Sequence, residues 1–446
     1  MMPVPRRRYK KVHMEWPKIY PVRQLVHQPE ISDPASAVRE EILQSRLRHR
    51  LRPGSRVAVA VGSRGISQIS VLVRSVVATL QELGYRPFIV AAMGSHGGAT
   101  AEGQRQILAS YGITESALGV PVQTDMAVVE LGKNSWGEPV YWDRNAYQAD
   151  GVVAIGRVKL HTDFSGPYQS GLVKMLVIGL GKREGAATHH QYGVRGLRDM
   201  IPESAKVVLA RTHFVLGLAC IENARDKLAV IRAVEPEDLL AVEPQLLQLA
   251  RDYMARIPFA QLDLLVVGEL GKNYSGTGMD VHVLGRQMVE GEPDELRPRI
   301  TRICVLDLAP ESHGNATGVG LADLTTAKVL AKMDAQVSHV NSLTSCFLLR
   351  SKIPIDLPTD RECIATGLKT CWQPRIEKVR MALIPNTLEL GLLWVSQALA
   401  EEAKGRHDLE LIGEPRPMPF DQAGNLLQEE LFPDSWRARR NQTLRL

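Results

Sequence analysis

The stretch VAVAVGSRGISQISVLVRSVVATLQELGYRPFIVAAMG, residues 57–94, decides the reading of the fold. It opens on the apolar run 57–61 and closes on a second, 87–92, each strand-sized. Between them, residues 69–83 carry VLVRSVVATLQEL, with apolar side chains at helical spacing. Strand, helix, strand in that order predicts parallel pairing, because parallel strands need a crossover connection. Further apolar, β-rich runs at 152–155, 207–209, 262–267 and 303–308 are read as strands, and the Glu- and Leu-rich segment 236–254 as a helical bridge. The expected class is α/β, with two α/β domains and largely parallel sheets.

A chain of 446 residues is too long for one core. The bridge and the Ile257-Pro258 step divide it into an N-terminal domain, 1–257, and a C-terminal domain, 258–400. The tail, 401–446, is either a surface strap or a return to the N-terminal domain. Hydrophobic residues at 44% and charged residues at 23% suit a globular protein. No apolar run approaches the roughly 20 residues of a spanning helix. The basic N-terminus has no apolar core behind it, so it is not read as a secretory signal, and a cytoplasmic location is expected. Much of the +5 net charge lies in the terminal runs 6–11 and 437–440, which argues against nucleic-acid binding. The five cysteines show no C-x-x-C spacing and are expected to be reduced.

In open parallel sheets, ligands bind at the carboxyl ends of strands. Three strand ends carry candidate groups: Gly62-Ser63-Arg64, Gly94-Ser95-His96, and the run Arg157-Val158-Lys159-Leu160-His161. Gly97-Gly98 gives the second loop freedom to approach a ligand, although a turn with an incidental histidine is the plain alternative. The densest segment is 159–193, which holds His161, Lys174, Lys182, Arg183, His189 and His190. Such groups repel if all are charged, so a site here needs some of them neutral, unless they point apart into water. A zinc site is disfavoured because the spacing is not H-E-x-x-H. The strings GLGK, 179–182, and GELGK, 268–272, are not Walker loops, since Leu176 and Val266 stand where the first Gly belongs. No G-x-G-x-x-G follows the first strand, which weakens an NAD-linked oxidoreductase.

These motifs resemble those of the lactate racemase family. GSHGGAT, 94–100, is similar to that family's G-T-H-R-x-[LM]-T loop, and SGLVKMLVIG, 170–179, to its S-G-G-x-K-x-I-x-P-G segment. A family histidine sixteen residues past the lysine meets His190. The resemblance implies two α/β domains with the active site in the cleft between them. It implies a nickel-pincer nucleotide, a pyridinium-3,5-bisthiocarboxylic acid mononucleotide, joined covalently to Lys174. His190 is then the nickel ligand, with His189 as the neighbour if the register shifts by one. His96 and His161 correspond to the acid–base pair, and Arg64 to the arginine that holds the substrate carboxylate. Lys272 corresponds more loosely to a lysine of the second domain that contacts cofactor and substrate. The implied activity is racemisation or epimerisation at C2 of a 2-hydroxy acid, and the implied partners are that small molecule and the proteins that build the cofactor.

The chain also departs from the family pattern. Val61 stands where the family has Asp, Gly97 where it has Arg and Glu269 where it has Gln, and Pro167-Tyr168-Gln169 are extra between His161 and Lys174. Less bulk and charge beside His96 suits a substrate larger than lactate, a dicarboxylic or sugar acid. The Gly-rich segments 274–280 and 312–318 are either lining for that wider pocket or ordinary surface loops. A protein that holds the nickel nucleotide or an anion without turnover is the competing reading, and it has no use for two acid–base histidines.

Overall fold

Strand 57–61 alternates valine with alanine, and the sheet it enters has two differently filled faces. Ala58 and Ala60 lie in the core layer that also holds Leu172, Leu176, Ala205 and Val208. Val57, Val59 and Val61 lie in the opposite layer with Leu72, Val73 and Val76 of the helix Ile69–Glu82. Small residues on one face let helices approach closely, whereas the valines fill the space against the helical layer on the other. The computed structural model describes residues 15–63, 65–292, 294 and 297–443.

In chain order the strands are β1 (Ile19–Gln24), β2 (Arg56–Val61), β3 (Arg86–Ala91), β4 (Val122–Gln123), β5 (Val128–Lys133), β6 (Pro139–Asp143), β7 (Gly151–Arg157), β8 (Phe214–Glu222) and β9 (Leu228–Val234). They continue with β10 (Gln261–Val267), β11 (Arg299–Val305), β12 (Leu324–Thr326), β13 (Ile355–Leu357), β14 (Met381–Ile384), β15 (Leu392–Ser396) and β16 (Leu409–Leu411).

The chain divides into two compact units. One is continuous, His27–Ala255. Its sheet runs β4-β3-β2-β7-β8-β9, with β9 alone antiparallel, and β5 and β6 form a separate hairpin. From β2 the chain moves outward through β3 to β4, then restarts on the other side at β7. The topological switch point therefore lies between β2 and β7, where an open sheet leaves a crevice at its carboxyl edge.

The other unit contains the described residues up to Val26 and those from Arg256 onward. Its sheet runs β13-β12-β11-β10-β14-β15-β1-β16, parallel from β13 to β14 and antiparallel beyond. Here the structure differs from the expected division of 1–257 and 258–400. The strand β1 pairs with β15 and β16, so the start of the chain belongs with its end. The described part of the tail groups with this unit. Its strand β16 pairs with β1, and Trp394 Nε1 donates to Leu431 O at 2.7 Å.

The segment 207–209 is not a strand. It lies in the helix Ile201–Arg211, whose buried positions Ile201, Ser204, Ala205 and Val208 recur at helical spacing. The strand is β8, buried along its whole length. Among the described residues, no helix is long and apolar enough to cross a membrane.

Candidate active site

The three expected strand ends lie side by side, because β3, β2 and β7 are neighbours in the sheet. Arg64, the expected carboxylate-binding residue, falls outside the described residues. The loop around it is anchored at both ends. Ser63 O accepts from Tyr111 Oη at 2.6 Å, and the Ser67 N–H donates to Glu222 Oε1 at 2.6 Å. Glu222 also pairs with Arg157 at 2.6 Å. Burial pushes the Glu222 carboxyl up from its ordinary value, and Arg157 opposes that shift.

His96 stands exposed at the end of β3, with Nδ1 in hydrogen-bond contact with Ser63 Oγ. Its loop is held from beneath. Gly94 adopts φ +56°, and its N–H donates to Gly179 O at 3.0 Å. A side chain there would meet Ile178 O at 3.1 Å, so only glycine allows this approach. Buried Gln104 donates to Gly94 O at 2.9 Å. Lys182 is a structural residue: fully buried, it lies 2.6 Å from Ala91 O and 3.0 Å from Asp143 Oδ2. Burial pushes the Asp143 carboxyl up, and Lys182 opposes this.

Beyond β7, Lys159 and Ser170 exchange backbone hydrogen bonds of 3.0 and 3.1 Å, closing a loop that carries His161. The extra residues Pro167-Tyr168-Gln169 hold this loop. Buried Gln169 accepts the His161 N–H at 2.6 Å, and Tyr168 Oη donates to Leu240 O at 2.6 Å. His161 Nε2 lies 2.5 Å from Lys174 Nζ, so the proposed base and the proposed anchor touch.

Lys174 ends the turn Leu172–Lys174, and the chain continues into a wider π-helical turn, Met175–Gly179. The Leu180 N–H reaches Met175 O five residues back, at 2.9 Å, and Leu176 O takes the indole N–H of buried Trp142, also at 2.9 Å. Wide turns of this kind often occur at functional sites.

The next helix, Lys182–His190, separates the two neighbouring histidines. His189 is buried, with Nδ1 on Gly185 O at 2.7 Å and Nε2 on Ser204 Oγ at 2.9 Å. Both of its ring nitrogens are occupied. His190 is exposed, with Nδ1 on Ala186 O at 2.6 Å. Metal-binding histidines commonly tie one ring nitrogen to a carbonyl and present the other. Desolvation by the surrounding protein lowers the pKa of both histidines, although the His190 side chain is open to solvent; Gly185 O and Ala186 O respectively oppose the shift.

Lys272 belongs to the other unit, just past β10. Its N–H donates to Ser312 Oγ at 2.8 Å and its Nζ to Gly276 O at 2.6 Å. Glu269, three residues earlier, is buried and accepts from Tyr274 Oη at 2.7 Å. The segments 274–280 and 312–318 pack together here, with Thr277 and Thr317 buried. No group of three or more His, Cys, Asp or Glu among the described residues is placed to hold a metal.

This α/β unit thus gathers histidines and a lysine near the switch point of its sheet. Residues 14–198 match the lactate racemase N-terminal domain. No curated protein matches the chain. Among solved structures, a Thermotoga maritima protein from a structural genomics programme is similar at 13% identity and a TM-score of 0.44, over 61% of this chain and 69% of its own. The lactate racemase apoprotein of Thermoanaerobacterium thermosaccharolyticum is similar at 14% identity and a TM-score of 0.41, over 64% of this chain and 69% of its own.

Proposed function

We propose that the protein inverts C2 of a 2-hydroxy acid larger than lactate, with a nickel-pincer nucleotide anchored on Lys174. The observation that carries this reading is the division of labour along one segment. Lys174 lies against His161, and sixteen residues on His190 ties Nδ1 to a carbonyl, leaving Nε2 without a bond among the described residues. A group that brings its own sulfur and carbon donors needs from the protein one covalent anchor and one imidazole, and these two residues fit it.

When bound, the nucleotide supplies a reversible hydride acceptor for the substrate C2–H. The side chains do the rest. His96 and His161, on strands that flank β2, take and return the hydroxyl proton from opposite sides of the substrate. Arg64 holds its carboxylate, which keeps the two faces distinct. Pro167-Tyr168-Gln169 support His161, and Gly97 lets the His96 loop pack on the next helix, where a side chain would come within 2.7 Å of Gln104 N.

The test is production in cells that make the cofactor, intact mass measurement, and C2 deuterium exchange across a panel of 2-hydroxy acids. An adduct on Lys174 that disappears in K174A is expected. H96A should retain nickel binding but lose exchange. Nickel-independent exchange by a protein without an adduct would overturn the reading.

A further inference from the structure

Two basic side chains in hydrogen-bond contact cannot both be cations, and the loop around His161 decides which proton is missing. The Asp163 N–H donates to His161 Nδ1 at 3.1 Å. A ring nitrogen that accepts carries no proton, so the proton of the neutral imidazole is on Nε2. The carboxylate does not reverse this assignment, since Asp163 Oδ2 is 3.8 Å from Nδ1, beyond a hydrogen bond. Nε2 faces Lys174 Nζ at 2.5 Å. An Nε2–H pointed at Nζ needs a lone pair there, and an ammonium has none.

The surroundings hold the ring in this position. Its plane lies against Phe164, with centroids 4.6 Å apart, and Gln169 takes the His161 N–H. Phe164 also lies 6.0 Å from Nζ, at the outer limit of attraction for a cation, so the 2.5 Å contact dominates. Asp163 on the loop and Lys174 both act electrostatically on His190 of the following helix.

We propose that His161, oriented by the Asp163 N–H, holds Lys174 as a neutral amine and so prepares it for covalent attachment of the cofactor, a role separate from proton transfer to substrate. This rests on the reading of Lys174 as the anchor. Condensing an amine with a thiocarboxylic acid forms the C–N bond of a thioamide and breaks one C–O bond. The oxygen leaves as water, with one hydrogen from the thiol and one from the amine. The nitrogen must arrive with its lone pair, which is the state the loop selects.

The test uses the full-length protein without cofactor, trace-labelled with acetic anhydride between about pH 6 and about pH 10, with each lysine read by peptide mass. Lys174 is expected to titrate about two units below the exposed lysines, and to react at neutral pH roughly 100-fold faster than in H161F. Lys174 titrating with the exposed lysines would overturn the proposal, as would a folded H161F protein with an unmoved profile. If H161F does not fold, the wild-type profile alone decides. An adduct on Lys174 in cofactor-producing cells, together with an ordinary profile, sinks this proposal and leaves the cofactor reading standing. A depressed profile without any adduct in cofactor-producing cells overturns the cofactor reading and the attachment role with it, and leaves only the neutral amine.

Discussion

Glu243 Oε2 accepts the Val173 N–H at 3.0 Å, one residue short of Lys174. The carboxyl is fully buried, and its other oxygen has no hydrogen-bond partner among the described residues. Gly171 makes the approach possible, since a side chain there would meet Glu243 Oε1 at 2.5 Å. The long helix Leu239–Tyr253 thus holds the turn that presents the lysine.

Burial pushes the Glu243 carboxyl from 4.5 up to about 7, with the Val173 and Leu172 N–H groups opposing it. The folded state therefore binds more protons than the unfolded chain between these values, and stability falls as pH rises through them. Wild type should lose about 3 kcal/mol relative to E243Q across that interval. Urea unfolding of both proteins at several pH values checks it; parallel curves would contradict it.

K182M leaves Asp143 buried without its partner. A loss of about 3–5 kcal/mol is expected. The loss should be greater at alkaline than at acid pH, because protonation relieves the stranded carboxyl. Thermal unfolding at the two pH extremes measures this.

The two histidines should separate cleanly. H189A removes a buried ring bonded at both nitrogens and should cost about 2 kcal/mol. H190A should leave stability nearly unchanged and abolish nickel retention, read by metal analysis of the purified protein. Since burial lowers the His189 pKa, its neutral form stabilises the fold above the unfolded value near 6.5, and that contribution is lost as pH falls through it. The acid limb of the stability curve should therefore flatten in H189A.

Arg437 lies 2.8 Å from Asp307 and 3.5 Å from Glu269, both buried. Burial pushes the Asp307 carboxyl up, but Arg437 and Lys332 outweigh it and hold it below its ordinary value. R437M should destabilise this unit by about 3 kcal/mol and expose the tail to limited proteolysis.

The strand-end positions of the candidate residues were legible because they follow continuous apolar runs. The strand ends after 61, 91 and 157 are local features, and the spacing from Lys174 to His190 is a count along one segment. The supports were not legible. Ser63 meets His96, and Glu243 meets Val173, only after crossovers bring distant segments together. Residues 207–209 are β-rich in composition but buried at helical spacing. The sequence also does not distinguish His189 from His190; one helical step puts one against Ser204 and the other in solvent.

The pairing of β1 with β15 bears on biosynthesis. Ile19 lies opposite Ser396, so the first strand leaves the ribosome long before its neighbour exists. The segment from His27 to Ala255 has all its strand partners within itself and can complete its sheet during translation. The unit bearing Lys174 is therefore expected to mature first, while the chain's opening strand waits unpaired for the last part to be made.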